Sequence, residues 1–151
     1  MTQQEFIIEE LKNFSPEMSD QIRALTRQIG TNFKELTDQD IKDMLSSTSN
    51  RLIVAQTGGK IVGMVTLLLF RIPYTKKAYI DDLVVDGSFR GHGLGTQLME
   101  KALATAKEWG AAYVDFTARP DRVAGNSLYE KLGFKKRDTN VYRLDYSYEE
   151  N

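Results

Sequence analysis

Cysteine is absent from the 151-residue chain, which removes a disulfide framework, a thiolate zinc site and an acyl-cysteine intermediate together. Histidine occurs once, as His92, so neither a serine–histidine triad nor a histidine-built metal centre is expected. An excess of either charge is missing too. Twenty basic residues against twenty-one acidic ones leave a net charge of -1, which offers no footing for bulk nucleic-acid binding. The longest apolar stretch, Ile61 to Phe70, is interrupted by Gly63 and Thr66 and is far too short to span a bilayer. Met1-Thr2-Gln3-Gln4-Glu5 has neither the basic residues nor the apolar run of a secretory leader. A cytoplasmic protein with no membrane attachment is therefore expected. Chemistry must come from carboxylates, tyrosine, backbone groups, water or a cofactor.

What is present fits one globular domain over residues 1–151, with 41% hydrophobic and 27% charged residues. There is no repeat, linker or low-complexity segment. Phe6 to Leu11 reads as a first strand. Ser15-Pro16-Glu17 supplies an N-cap, a proline at the first helical position and an acidic first turn. Met18, Ile22, Leu25 and Ile29 then recur at helical spacing, predicting a helix over 16–29. Thr37-Asp38-Gln39-Asp40 has the form of a capping box opening a short helix through Met44 and Leu45. Arg51 to Gln56 and Ile61 to Phe70 read as a hairpin about Thr57-Gly58-Gly59-Lys60. Ala78 to Val85 is a fourth strand, and Gly93 to Trp109 a long helix with Leu94, Leu98, Leu103 and Ala106 inward. Tyr113 to Thr117 follows as a strand, Arg122 to Leu132 as a helix stopped by Gly133, and Val141 to Tyr146 as a last strand. The class is α/β with a mixed sheet.

The most informative stretch is Tyr79-Ile80-Asp81-Asp82-Leu83-Val84-Val85 followed by Arg90-Gly91-His92-Gly93-Leu94-Gly95-Thr96. An apolar strand runs through a glycine turn into a helix. The first N–H groups of a helix lack partners and its dipole is positive there, so glycines let this backbone close on a phosphate. A dinucleotide fingerprint needs glycine at the first, third and sixth positions, but the sixth from Gly91 is Thr96. A P-loop needs Gly-Lys-Ser/Thr, and no such triplet occurs. What remains is Arg90-x-x-Gly93-x-Gly95, a pyrophosphate loop of another kind. Arg90 carries a charge suited to phosphate, and His92 reads as an exposed loop residue.

Downstream stands Asn126-Ser127-Leu128-Tyr129-Glu130-Lys131-Leu132-Gly133-Phe134. Together the two motifs resemble the GNAT superfamily of N-acetyltransferases over roughly residues 60 to 146. The resemblance implies a mixed, mostly antiparallel sheet of six to seven strands with about four helices, and acetyl-CoA as cosubstrate without a metal. It implies pyrophosphate on the amides from Gly91 through Thr96, with Arg90 beside them. The pantetheine would lie along the backbone of Leu83, Val84 and Val85 as an added strand. Tyr129 is implied as the acid that protonates the departing thiolate. Many members carry asparagine seven residues before that tyrosine and a small residue four before it. Here Arg122 and Gly125 hold those places, so Asn126 is expected to take over a CoA hydrogen bond.

The acceptor implied is a primary amine, on a small molecule or on a peptide or protein. It would be shaped by residues 16–48 and about 70–78, which contain Phe33, Lys34, Glu35, Phe70, Arg71 and Tyr74. Asp82, with Asp81 as competitor, is the expected base. Alternation in a strand sends the two to opposite faces, so only one would meet the acceptor directly. A homodimer is open, since the last strand contributes to subunit contacts in relatives. The alternative function is a non-catalytic acetyl-CoA-binding sensor or interaction module.

Overall fold

The computed structural model describes residues 4–30 and 34–147. The chain forms two compact units, Met1–Thr117 and Ala118–Asn151. In the first, β1 (Ile7–Leu11), β2 (Asn50–Thr57), β3 (Lys60–Ile72) and β4 (Thr75–Val85) pair antiparallel in chain order, and β5 (Val114–Asp115) joins parallel to β4. Helices α1 (Pro16–Ile29), α2 (Asp38–Ser46) and α3 (Leu94–Trp109) complete this unit, and α4 (Val123–Lys131) lies in the second.

The caps form as their sequences require. Ser15 Oγ accepts the Met18 amide, with Pro16 at the first helical position. Thr37 Oγ1 accepts from the Asp40 amide while the Asp40 carboxylate accepts from the Thr37 amide, completing the capping box. One core lies between α1, α2 and the sheet, where Ile22, Leu25 and Ile41 pack with Leu11, Leu52, Val54, Ile61, Met64 and Val84. Leu94, Leu98, Met99, Ala102 and Ala106 are the buried residues of α3. Leu103, expected inward, is half-buried, because the burying face turns through Met99 and Ala102 instead.

Two expectations need correction. The described residues hold five strands rather than six or seven. Val141 to Tyr146 has strand-like alternation but no ladder partner among them, and Val141, Tyr142, Leu144 and Tyr146 are exposed. Alternation tells which side chains share a face; it does not supply the neighbouring backbone that makes a strand. The second correction concerns β4. Met64 pairs with Val84 and Thr66 with Asp81, so two steps on β3 face three on β4. That is a β-bulge, and Asp82 sits in it at φ 53°, the one non-glycine residue at positive φ among those described.

The bulge reverses the strand's phase. Gly63 faces α3, since a Cβ there would lie 3.1 Å from Leu98 Cδ1. Val65 and Leu67 share its face by alternation, and Ile80, paired with Leu67, joins them. Val84, four residues later, is paired with Met64 and packs in the opposite core with α1 and α2. In a regular strand Ile80 and Val84, four residues apart, would point the same way.

Candidate active site

Because of the bulge, the premise that Asp81 and Asp82 simply alternate across the sheet fails. Asp81 pairs with Thr66 and lies on the α1–α2 face, while Asp82 occupies the irregular position, where aspartate tolerates a left-handed backbone better than most residues do. The Asp82 amide donates to Asp81 Oδ1 at 2.9 Å. Both residues are exposed. Partial desolvation of its carboxyl by the surrounding backbone and side chains, then the charge of Asp81 and a hydrogen bond with it, raise the Asp82 pKa above the usual carboxylate value. Asp81 thus helps to make Asp82 a weaker acid than an ordinary carboxyl.

Beside this pair the edge of β4 is open. β5 pairs with β4 at Ala78 and Tyr79 alone, so toward β5 the backbone from Ile80 to Val85 has no ladder partner among the described residues. Leu83, Val84 and Val85, the expected pantetheine contacts, lie on that stretch. A sheet edge of this sort is what an extended amide-bearing chain adds to.

The glycine loop follows. Asp86 Oδ1 accepts the Ser88 amide and opens a short 3-10 turn, Gly87–Phe89. Gly91 (φ 86°) and Gly93 (φ 75°) then turn the chain through left-handed conformations, and Gly93 becomes the N-cap of α3. No side chain caps this helix. The Gln97 amide makes the first helical bond, to the Gly93 carbonyl. The amides of Leu94, Gly95 and Thr96 are left without intrahelical partners by helix geometry. A Cβ at Gly91, Gly93 or Gly95 would meet nothing within 4 Å. The space above these donors is open, which fits a diphosphate. Arg90 is exposed and makes no ion pair among the described residues. His92 is exposed too, its ring centroid 5.3 Å from that of Phe6, which also meets Phe89 edge-on at 6.3 Å.

In the second unit, α4 carries the tyrosine signature. Gly133 (φ 96°) ends the helix: its amide donates to the Glu130 carbonyl and the Phe134 amide to that of Tyr129. This is a Schellman cap, and it accounts for the Tyr-Glu-Lys-x-Gly-Phe spacing in backbone terms. The Tyr129 ring lies alongside Gly125, whose Cβ, if present, would be 3.7 Å from the phenol oxygen. Burial raises the Tyr129 pKa, against the lowering influence of Arg122. The phenol is therefore protonated at neutral pH. Asn126 Nδ2 donates to the Arg119 carbonyl (3.0 Å) and the Arg122 carbonyl (2.8 Å). Its two amino hydrogens hold the start of α4, which leaves its carbonyl oxygen for other partners.

Among the residues expected to shape an acceptor site, Phe33 lies outside those described. A cavity of about 220 Å³ is lined by Arg23, Arg27, Lys34 and Glu35 with neighbours on α1. Its cations are partly spoken for: Arg23 bonds Asp20 (2.5 Å) and Asp38 (2.7 Å), and Arg27 pairs with Glu35. Phe70, Arg71 and Tyr74 surround the β3–β4 turn, with Tyr74 largely exposed. Sequence reasoning missed Phe6, Gln28 and Asp86 at the loop. Asp86 alone had a local signal, a turn-forming aspartate before Gly-Ser. Among the described residues there is no cluster of three or more metal-ligating side chains and no helix long and apolar enough to cross a membrane.

Comparison with known proteins identifies the family. The family model described as acetyltransferase (GNAT) family matches residues 17–134, well over half of the chain. The chain belongs to that family. An uncharacterized N-acetyltransferase of Methanocaldococcus jannaschii is 29% identical over 100 residues, which is 64% of this chain and 44% of that protein. The chain thus matches less than half the length of this relative. A putative acetyltransferase from Agrobacterium tumefaciens superposes with a TM-score of 0.82 at 22% identity, covering 92% of this chain and 99% of that one. The aminoglycoside N-acetyltransferase AAC(6')-Iy, solved in complex with CoA, gives a TM-score of 0.80 at 14% identity, covering 96% and 97%. At these identities the two structures speak for the fold.

Proposed function

We propose that this protein is an acetyl-CoA-dependent N-acetyltransferase that carries acetyl to a primary amine by direct attack. The observation that carries the reading is the row of helix-start amides at Leu94, Gly95 and Thr96, opened by left-handed Gly91 and Gly93. Family membership gives those donors their ligand, the diphosphate of CoA, with Arg90 adding charge. Open backbone at Leu83, Val84 and Val85 takes the pantetheine arm, and the Val84 or Val85 amide serves the developing oxyanion.

An alkyl ammonium with pKa about 10.4 is neutral about once in 2,500 molecules at pH 7, a cost of roughly 4.6 kcal/mol. Asp82, kept less acidic by partial desolvation and by Asp81, takes that proton directly or through water. The amine nitrogen then attacks the thioester carbonyl and the C–S bond breaks; the thiolate takes the phenol proton of Tyr129, and the proton that the nitrogen sheds on becoming an amide restores the phenol through water. From phenol (about 10) to thiol (about 8.5), complete transfer is uphill by about 2 kcal/mol. Burial of Tyr129 widens that gap, so hydrogen bonding in the transition state carries the step. Asn126 contributes its carbonyl oxygen to CoA.

The test is release of CoA thiol from acetyl-CoA with a panel of amines: small amines, amino acids, aminoglycosides, and peptides with free N-termini or lysines. Turnover with at least one amine, and no acetyl-enzyme burst without amine, is the expected result. Acetyl-CoA binding without turnover of any amine identifies the sensor alternative, and stabilisation by ATP in place of acetyl-CoA refutes both.

A further inference from the structure

Gln28, near the end of α1, reaches 58 residues along the chain to the start of the phosphate loop. Its Nε2 donates to Asp86 Oδ2 at 3.3 Å, and its Oε1 accepts the Gly87 amide at 3.1 Å. The residue type is dictated by the two partners. An ionised carboxylate accepts only and a backbone N–H donates only, so the bridge needs one neutral side chain with a donor and an acceptor side by side. Glutamine has both; glutamate, lysine or leucine lacks at least one. The rest of the loop start is fixed as well. The Asp86 amide donates to the Val62 carbonyl at 2.8 Å, and Asp86 Oδ1 accepts the Ser88 amide. Gln28 is the side-chain contact that fastens this turn to a helix, and the turn leads within seven residues to the Gly93 cap.

We infer that Gln28 is a positioning residue for the cosubstrate: by bridging Asp86 and Gly87 it holds the glycine loop in the shape that presents the α3 amides. This rests on the reading of that loop as the acetyl-CoA site. The bridge has no role in acetyl transfer itself, so its loss falls on cosubstrate affinity and spares turnover at saturation.

The experiment measures acetyl-CoA affinity by calorimetry and steady-state kinetics with one active amine, for four proteins. These are the wild type, Gln28→Ala, Gln28→Glu, and the double variant Gln28→Glu with Asp86→Asn. Gln28→Ala should raise the Kd and KM for acetyl-CoA about three- to ten-fold, the effect of losing one or two exposed hydrogen bonds. Its kcat, amine KM and ligand-free Tm should stay near wild type. Gln28→Glu sets two carboxylates against each other and should be worse. The double variant exchanges the two roles. The asparagine introduced at position 86 donates the bond that Gln28 gave, and the glutamate at position 28 accepts both that bond and the Gly87 amide. Affinity should then return to within about two-fold of wild type. An unchanged Kd in Gln28→Ala while the wild type binds acetyl-CoA overturns the inference alone, as does a double variant no better than Gln28→Glu. A wild type that does not bind acetyl-CoA overturns the reading of the loop, and this inference with it.

Discussion

Gly95→Ala separates two roles of the glycine loop that sequence motifs confound. Gly95 is the second residue of α3, has an ordinary negative φ, and a Cβ built on it meets nothing within 4 Å. If the glycine served the fold alone, alanine would be the better residue. Alanine is favoured over glycine in a helix by up to about 1 kcal/mol. In a first turn about half of that is a fair expectation, equal to roughly 1–2 °C in Tm for a chain of this size. Side chains on a helix lean toward its N-terminus, so the new methyl stands over the amides of Leu94 and Gly95, where a phosphate would sit. Loss of one hydrogen bond to an ionised oxygen costs about 1.5–3 kcal/mol, or roughly 10- to 100-fold in affinity. The variant should thus be slightly more stable and bind acetyl-CoA much more weakly. Acetyl-pantetheine, which lacks the diphosphate, should bind it as it binds the wild type. Calorimetry with both ligands, beside thermal melts, reads all three outcomes. A stabilised protein with wild-type affinity for acetyl-CoA would refute the cradle.

Further variants test the other parts. Tyr129→Phe should lower kcat about 100-fold with the KM for acetyl-CoA little changed; a kcat within threefold of wild type removes the phenol from the chemistry. For Asp82 the raised pKa means that the fold holds this proton more tightly than the unfolded chain, so its stabilising contribution falls as pH rises through that value. Asp82→Asn should therefore melt at or above the wild-type temperature at pH 7, while kcat/KM for the amine drops about tenfold or more and loses its acid limb; an unaltered pH profile eliminates Asp82 as the base. Gly63→Ala sets a methyl 3.1 Å from Leu98 Cδ1 and 3.3 Å from the Val84 carbonyl oxygen. Overpacking there should cost about 1–3 kcal/mol, seen as a lower denaturation midpoint.

What could be read from the chain were the features encoded locally. Ser15, Thr37 and Gly133 announce their helix ends because each makes its bonds within a few residues. The spacing of Ile22 and Leu25 likewise reports one face of one helix. The loop was legible because glycine is the residue that turns through positive φ at Gly91 and Gly93. The bulge was not. Asp82 looks like any strand residue, and its extra place shows only in the pairing of β3 with β4. The Gln28 bridge was hidden for the same reason, since its partners are 58 and 59 residues away. Val141 to Tyr146 shows the converse, a pattern legible in sequence with no ladder among the described residues to express it.

Asp82 also separates what the two cores require from what the edge of β4 presents. One side chain there is easily exchanged, and asparagine or glycine fits the same backbone. Removing the position would set Leu83 opposite Val65 and keep Val84 opposite Met64, so both cores would retain their residues while the bulge and its carboxylate were lost. Libraries built on this scaffold should hold position 82 to residues that accept a positive φ, such as aspartate, asparagine and glycine.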